Sequence, residues 1–275
     1  MPRVALRVAY DGSAFHGSQR QPSLRTVEGE ILAALSAVGA VADPRSSRFQ
    51  MASRTDAGVS ARANVCAVDA ALEPVELARA VTANARDLWI LEAAAVDDAF
   101  HPRSAVARRY RYHLPAAGLD VERFAEALSV FMGRHDFTSF ARLEPGVDPV
   151  RDLREARAVS DGSFVVATFV APSFLWNQVR RMVAAARAVA RDEIEAGAVR
   201  EALAGRRDLD LGLAAPEGLV LDDVAYDPPV AWRSAVGPRA RDDLRDRLAR
   251  LDLARAVHAD LARNLDGLAP PRDAR

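Results

Sequence analysis

SRTDAGVSA, residues 53–61, lies between two segments that are predicted to be short strands, 46–52 and 63–70. Arg54, Thr55 and Asp56 make this stretch too polar for a core strand, and the Ala-Gly that follows is typical of a turn. One interpretation is a plain surface turn. The other is a loop that presents a chemically active carboxylate, and the rest of the chain has to decide between them.

The segments around this loop follow the order β-α-β-β-α-β. Val4, Leu6 and Val8 alternate with other residues, as in a strand, and the spacing of the apolar residues after Thr26 is helical. Gly39 is predicted to end that helix. The predicted elements of the first half are a strand at 4–8, a helix at 27–38, strands at 46–52 and 63–70, a helix at 74–84 and a strand at 88–96.

The second half of the chain repeats the same order of elements. Asp161-Gly162 is predicted to be the turn of a hairpin, and alternating Arg and Asp after residue 239 indicate a terminal helix, which we expect to lie on the body. The predicted elements are a strand at 105–114, a helix at 120–132, strands at 153–160 and 163–171, a helix at 174–190, a strand at 218–226 and the terminal helix at 239–266.

This pattern predicts an α+β fold with two ferredoxin-like (RRM-like) halves, each a mainly antiparallel sheet flanked by helices, plus a C-terminal helix. The predicted divisions are 1–103 for the N-terminal half with the Asp56 loop, 104–230 for the C-terminal half that completes the site, and 231–275 for a helical extension.

Composition limits the class of protein. The formal net charge is -1, so no global field attracts the chain to nucleic acid, and a polyanion would need a local basic patch. Cys66 is the only cysteine, which excludes an internal disulfide and fits a reducing compartment. The N-terminus resembles no signal peptide and no apolar run reaches membrane-spanning length, so we expect a cytoplasmic protein with no membrane partner.

Motif patterns exclude several chemistries. The chain has no GxGxxG, no P-loop, no HExxH and no paired cysteines, and its five histidines lack metal-ligand spacing. Asp56 therefore remains as a candidate acid, base or nucleophile. By themselves, Tyr110 and Tyr112 indicate one face of a strand, and Arg180 and Arg181 a solvated helix face. Core positions are predicted for Phe137, Phe140 and Cys66.

Five stretches occur in an order that carries more information than any one of them. They are YDGSAFHGSQRQP (10–22), SRTDAGVSA (53–61), FHPRSAVARRYRYHL (100–114), HDFTSFA (135–141) and FLWNQVRRM (174–182). This ordered set resembles the tRNA pseudouridine synthase A family over residues 9 to about 227. The stretch FLWNQVRRM resembles archaeal or eukaryotic members rather than bacterial ones.

The resemblance implies a cofactor-free, metal-free isomerase that acts on uridine in tRNA, at positions 38, 39 and 40 of the anticodon stem-loop. Such an enzyme breaks the bond from C1′ to N1, turns the uracil, and joins C1′ to C5. Members of the family work as homodimers that hold tRNA between the two subunits.

The resemblance also assigns roles to residues. Asp56 falls on the catalytic aspartate, Tyr110 on a tyrosine that stacks against the target base, and Arg180 on the basic partner of the carboxylate. The other implied substrate-binding positions are Arg54, placed to take the space left by the flipped nucleotide, Thr55 in the same motif, and Leu219 and Leu221 in a strand that walls the uracil pocket.

These assignments agree with physical expectation. A base inside a stem must be extruded at a cost of about a few kcal/mol, and an aromatic face recovers about 1–3 kcal/mol per stacked base. A guanidinium beside Asp56 would keep its carboxylate ionised in an apolar pocket. Phosphate contacts are predicted for two basic clusters, Arg103, Arg108, Arg109 and Arg111, and Arg180, Arg181 and Arg187.

Two departures from the family pattern and two rival functions stay open. Ser53 stands where the motif has Gly, which predicts a different loop entry, and Ser60 stands where it has His. The rivals are a catalytically inert protein that binds or chaperones tRNA, and a hydrolase of nucleosides on the same scaffold.

Overall fold

The computed structural model describes residues 1–41 and 46–266, with side chains to residue 262. The chain divides into two compact units, Met1–Ala235 and Val236–Arg275. The elements of the N-terminal half follow the predicted order: β1 (Arg3–Tyr10), α1 (Val27–Ala37), β2 (Gln50–Met51), β3 (Ser60–Asp69), α2 (Pro74–Asn84) and β4 (Leu88–Ala95).

Local chemistry accounts for the helix starts in this half. The Thr26 hydroxyl accepts a hydrogen bond from the Gly29 amide at 3.2 Å, which satisfies one free donor of the first turn of α1. Pro74 opens α2, where its missing N–H is no loss. The predicted strand at 46–52 is wrong in extent, because Arg48 has a left-handed backbone (φ 46°) and the strand covers only Gln50–Met51.

The C-terminal half also keeps the predicted order, with additions. Its elements are β5 (Ala107–Pro115), α3 (Val121–Ser129), β6 (Gly133–Asp136), β7 (Val150–Leu153), β8 (Glu155–Asp161), β9 (Phe164–Ala171), α4 (Gln178–Ala190), α5 (Ala196–Leu203), β10 (Leu219–Ala225) and β11 (Arg233–Ser234). The paired strands β6 and β7, the helix α5 and the short strand β11 are not among the predicted elements. The helix predicted from residue 174 begins at Gln178, because Asn177 has a left-handed backbone (φ 64°).

All the described strands except β6 and β7, which pair with each other, form one mixed, mostly antiparallel sheet, and this confirms the predicted fold class. Its order is β11-β4-β1-β3-β10-β5-β9-β8, with β2 paired to β3. Within each half the four main strands therefore follow the same order, fourth, first, third and second, which is the ferredoxin-like arrangement. The boundaries at residues 103 and 230 stay a prediction.

The two halves meet through a short parallel pairing that positions the polar loop. At the start of β3, Ser60 and Ala61 pair with Val220 and Leu221 of β10. On its other side β10 pairs with β5, where Leu221 lies opposite Tyr110. Residues 53–59 precede β3 directly, so this loop lies where strands of both halves come together.

One apolar core extends through both halves. Its fully buried members include Phe137, Phe140 and Cys66, as predicted. The Phe131 and Phe140 rings pack edge to face with centroids 4.9 Å apart, a favoured aromatic geometry. Burial also raises the pKa of the Cys66 thiol to about 12, so this side chain behaves as a small apolar group.

In the described part of the second unit there is one helix, α6 (Pro238–Asp266), close to the bounds predicted for it. Its alternating charges form ion pairs along the helix, such as Arg245 with Asp242 at 3.5 Å. That this helix lies on the body stays a prediction. Among the described helices, none is both long and apolar enough to cross a bilayer.

Candidate active site

A cleft of about 970 Å³ lies between the loop 53–59 and the segment 172–180 that leads into α4. The structure gathers most of the predicted site residues in it. Six of them line the cleft: Arg54, Thr55, Asp56, Tyr110, Arg180 and Leu219. Leu221, which lies opposite Tyr110 in the sheet, is fully buried and is not among the lining residues, so of the two leucines Leu219 alone faces the cleft.

Asp56 and Arg180 form an ion pair inside the cleft. Arg180 Nη1 lies 2.7 Å from Asp56 Oδ2, and Arg180 Nε donates to the carbonyl oxygen of Ala214 at 2.8 Å. The Asp56 side chain is 28% exposed and that of Arg180 13%. The carboxylate is therefore reachable from the cleft while its counter-charge is held from behind, a geometry suited to an ionised nucleophile or base.

Asp56 has a second hydrogen-bond donor, which the sequence did not predict. Trp176 Nε1 donates to Asp56 Oδ1 at 3.0 Å, and the Arg142 guanidinium lies 4.2 Å from the centre of the Trp176 ring. The available signal was a tryptophan in a polar stretch just before the charged start of a helix. Its partner lies 120 residues away in the chain, so local pattern did not identify the contact.

Tyr110 lies at the inner wall of the cleft. It is 7% exposed, and its ring meets Phe174 edge to face at 5.1 Å. Burial raises the pKa of the Tyr110 phenol to about 12, against a weaker opposing effect of Arg108 and a hydrogen bond with Ser53. The hydroxyl therefore stays protonated across the physiological range, and the ring presents a neutral aromatic surface to the cleft.

Thr55 anchors the loop rather than leaving its hydroxyl free. Its amide donates to Ser18 Oγ at 2.8 Å, and its own Oγ1 lies 2.9 Å from the Tyr10 hydroxyl. Asn64 donates to the same Tyr10 oxygen at 3.2 Å. Because these groups are buried, the loop that carries Asp56 is fixed by a network that water does not reach.

The two family departures are accommodated without strain. Ser53 has no left-handed backbone, and its hydroxyl accepts from Arg108 Nε at 3.2 Å. Ser60 Oγ accepts from the Gly12 amide at 3.0 Å. A Cβ on Gly12 would lie 2.2 Å from the Val59 carbonyl carbon, so this close approach of backbones requires glycine.

The first predicted basic cluster (Arg103, Arg108, Arg109 and Arg111) does not form one phosphate-binding surface. The expectation that Arg108 contacts phosphate was wrong. Arg108 is buried, and its guanidinium donates to five neutral acceptors from three separate segments, so it holds the cleft walls together. The acceptors are Ser53 Oγ and the carbonyl oxygens of Ala52, Arg103, Ala105 and Pro172. Burial lowers the pKa of Arg108.

The other arginines of the two predicted clusters do not all lie in the cleft either. Arg109 and Arg111 are one residue out of phase with Tyr110 and lie on the opposite face of β5, away from the cleft. Arg181 pairs with Asp210 at 3.0 Å. The arginines that do line the cleft are Arg54, Arg103, Arg108, Arg142, Arg151 and Arg180, against the two carboxylates of Asp56 and Glu144. This excess of positive charge suits a polyanionic ligand.

Comparison with known proteins agrees with this geometry. A family model described as tRNA pseudouridine synthase matches residues 127–227. The tRNA pseudouridine synthase A of Thermococcus kodakarensis is 41% identical over 263 residues, which covers 94% of this chain and 98% of that protein. The protein of the same name from Methanoculleus marisnigri is 42% identical over 230 residues, 82% and 83% of the two chains.

A solved structure titled as a Cbf5-Nop10-Gar1 complex is a distant likeness only, with 9% identity, a TM-score of 0.37 and coverage of 67% of this chain and 44% of that one. The family therefore rests on the sequence relatives. Another relative, the tRNA pseudouridine synthase A of Pyrococcus abyssi, is 42% identical over 232 residues, which covers 82% of this chain and 85% of that protein. At this identity and coverage, the chain belongs to the tRNA pseudouridine synthase A family.

Proposed function

We propose that this chain isomerises uridine to pseudouridine in tRNA, with Asp56 as the catalytic carboxylate. The observation that carries the proposal is the Asp56–Arg180 ion pair in a basic cleft, beside the buried aromatic ring of Tyr110. An ionised, reachable carboxylate, a flat neutral surface for a base and an excess of arginine are what a uridine in RNA requires.

The reaction rearranges atoms without gaining or losing any. The bond from C1′ to N1 breaks, the uracil turns, C1′ joins C5, and the proton of C5 is lost as N1 takes one up. Two routes are open to Asp56, attack at ribose C1′ or attack at C6 of the base, besides assistance to cleavage without attack. The first two require the ionised carboxylate, which the 2.7 Å contact with Arg180 favours.

The target base would reach Asp56 by leaving its helix. Tyr110 and Leu219 supply aromatic and aliphatic surface for the extruded uracil, and stacking returns about 1–3 kcal/mol of the extrusion cost. Arg54 is exposed at the same cleft, where it can enter the space that the nucleotide leaves. Leu221 is assigned to the support behind this wall, since its side chain is fully buried.

The finer assignments belong to this proposal too. We place the target at positions 38, 39 and 40 of the anticodon stem-loop, in a homodimer that holds tRNA between its subunits in the cytoplasm. They follow from the ordered motifs, in particular YDGSAFHGSQRQP and SRTDAGVSA, and from the family to which the chain belongs.

One assay tests the activity and its rivals. Unmodified tRNA with a full anticodon stem-loop is incubated with the parent protein and with Asp56→Asn, and pseudouridine is mapped by carbodiimide-based primer extension. We expect stops at positions 38 to 40 with the parent alone. If the parent protein binds the tRNA but forms no pseudouridine, the result would support the inert tRNA-binding protein. Release of free uracil would support the hydrolase.

A further inference from the structure

Trp176 lines the cleft beside Asp56. Its side chain is 43% exposed, although tryptophan is mostly buried in folded proteins. Its one polar atom, Nε1, is nevertheless committed to Asp56 Oδ1 at 3.0 Å. The ring is exposed, yet its single donor is used at the carboxylate proposed to be catalytic. This combination indicates a role for Trp176 at Asp56.

The surrounding segment holds this ring in one place. The Arg142 amide donates to the Trp176 carbonyl oxygen at 2.8 Å, and the Arg142 guanidinium covers the indole at 4.2 Å. The left-handed backbone of Asn177 then turns the chain into α4, so that Trp176 and Arg180 contact Asp56 from one short segment.

Arg180 by itself does not fix the carboxylate plane. Its Nε donates to the Ala214 carbonyl oxygen at 2.8 Å, so only Nη1 meets Asp56, through Oδ2 at 2.7 Å. A forked, two-bond contact would set the orientation of the carboxylate, but one bond leaves it free to rotate. The Trp176 donor on Oδ1 supplies the missing second point.

We propose that Trp176 is a positioning residue, which fixes the plane of the Asp56 carboxylate through its indole N–H and is itself held in place by Arg142. This inference rests on the proposed function. It assigns to Asp56 a fixed direction of approach to the uridine, set by a charged donor on Oδ2 and a neutral donor on Oδ1.

The substitution Trp176→Phe keeps an aromatic ring for Arg142 and removes the donor. A hydrogen bond to a charged group is worth about 1.5–3 kcal/mol, which corresponds to roughly a 10- to 150-fold fall in kcat. KM for tRNA should change little, because the ring remains. Arg142→Met should lower kcat in the same direction by a smaller factor.

Trp232→Phe is the matched control. The guanidinium of Arg7 lies 4.6 Å from the Trp232 ring, so this is also a tryptophan covered by an arginine, but it does not line the cleft. Its kcat and its KM for tRNA should equal those of the parent. Equal kinetics for Trp176→Phe and the parent would overturn the positioning role, and so would a faster Trp176→Phe, which would make the ring a gate.

An independent measurement needs no turnover. The three tryptophans give three indole N–H signals in a ¹H–¹⁵N spectrum, and Trp176→Phe identifies the one from Trp176. Asp56→Asn should shift that signal and leave the Trp232 signal in place, whereas no shift would exclude the hydrogen bond. A parent that makes no pseudouridine would remove the proposed function while the spectrum still tests the contact.

Discussion

At Asp56 the two carboxylate oxygens meet donors of different kinds. Oδ2 faces the charged Nη1 of Arg180 and Oδ1 faces the neutral indole N–H of Trp176, so the two contacts together fix the direction in which the carboxylate points. Because the side chain is 28% exposed, water screens the pair and substrate can reach it. Geometry rather than stability is what this arrangement provides.

Asp56→Asn tests the carboxylate itself. The amide keeps the size of the side chain and can keep a contact with a donor, but it removes the negative charge and the nucleophile. We expect pseudouridine formation to vanish while tRNA binding and the urea midpoint of unfolding stay near those of the parent. Carbodiimide mapping measures the first and filter binding the second. Turnover by Asp56→Asn that is free of deamidation would contradict the assignment.

Arg180 is tested by separating turnover from tRNA binding. Arg180→Met removes the cation that lies 2.7 Å from Asp56 Oδ2, so kcat at saturating tRNA should fall. Arg180→Lys restores the charge without the planar fork and should recover part of the rate. If Arg180 instead serves a phosphate, Arg180→Met would weaken tRNA binding, reduce its salt slope by about one contact, and leave kcat at saturating tRNA unchanged.

Tyr110 is tested by a pair of substitutions that separate stacking from the hydroxyl. Tyr110→Phe keeps the aromatic face and should bind tRNA almost as well as the parent. Tyr110→Leu fills much of the same buried space without a π surface, and it should lose about 1–3 kcal/mol of binding. Titration with inactive Asp56→Asn as background measures both. Equal affinity for all three proteins would show that Tyr110 does not hold the base.

The family resemblance pointed to Asp56, Tyr110 and Arg180 because the motifs that contain them are short and contiguous, and all three line the cleft. These motifs did not locate Trp176 and Arg142 as partners, because that contact joins segments that only the tertiary fold brings together. The same limit explains the wrong expectation for Arg108. Its neighbours in sequence are exposed or half-buried arginines, and nothing local indicates that this one is buried against five neutral acceptors.

At the scale of elements, the repeated β-α-β-β-α-β order was predictable because alternation and helical spacing are local signals. The joint between β3 and β10 was not. It consists of two register pairs, Val220 with Ser60 and Leu221 with Ala61, and so short a pairing leaves no periodicity of its own. Yet this joint brings the Asp56 loop next to β5 of the other half, and the cleft depends on it.

Arg108→Met tests how the segments around the cleft are held. The substitution leaves five acceptors from three segments without their donor, and unsatisfied buried groups are costly. We expect the free energy of unfolding in urea to fall by about 2–4 kcal/mol. Arg109→Met, on the exposed opposite face of the same strand, is the control and should stay within about 0.5 kcal/mol of the parent. A cost for Arg108→Met as small as that would deny it the clamping role.

At the scale of the whole molecule, the net charge gives no indication of the basic cleft. A formal charge of -1 predicts no attraction to RNA, but six arginines and two carboxylates line one cavity. The sum over the chain could not reveal this, because charge is separated in space by the fold rather than along the sequence. The absence of lysine is visible in the sequence, and it has a physical consequence that reaches the entire chain.

Alkaline pH is where that consequence can be measured. Without lysine, few groups other than Cys66 and the tyrosines titrate between about pH 9 and 12. All four tyrosines (Tyr10, Tyr110, Tyr112 and Tyr226) have a raised pKa, in each case chiefly because burial disfavours the phenolate. The folded chain therefore holds these protons more tightly than the unfolded chain, in which tyrosine titrates near about 10.

The sign of the linkage fixes the expected result. Stability from these groups is complete below the unfolded value and is lost as the pH rises from about 10 toward the native values, by about 1.4 kcal/mol per pH unit for each tyrosine. Absorbance at 295 nm should therefore show much less phenolate in the native protein at pH 10.5 than in the unfolded chain, and then a cooperative rise that coincides with loss of the far-ultraviolet circular dichroism. The free energy of unfolding should fall steeply over the same range. A gradual rise of phenolate centred near pH 10, with the circular dichroism intact, would mean that water reaches these tyrosines, including the aromatic wall of the cleft.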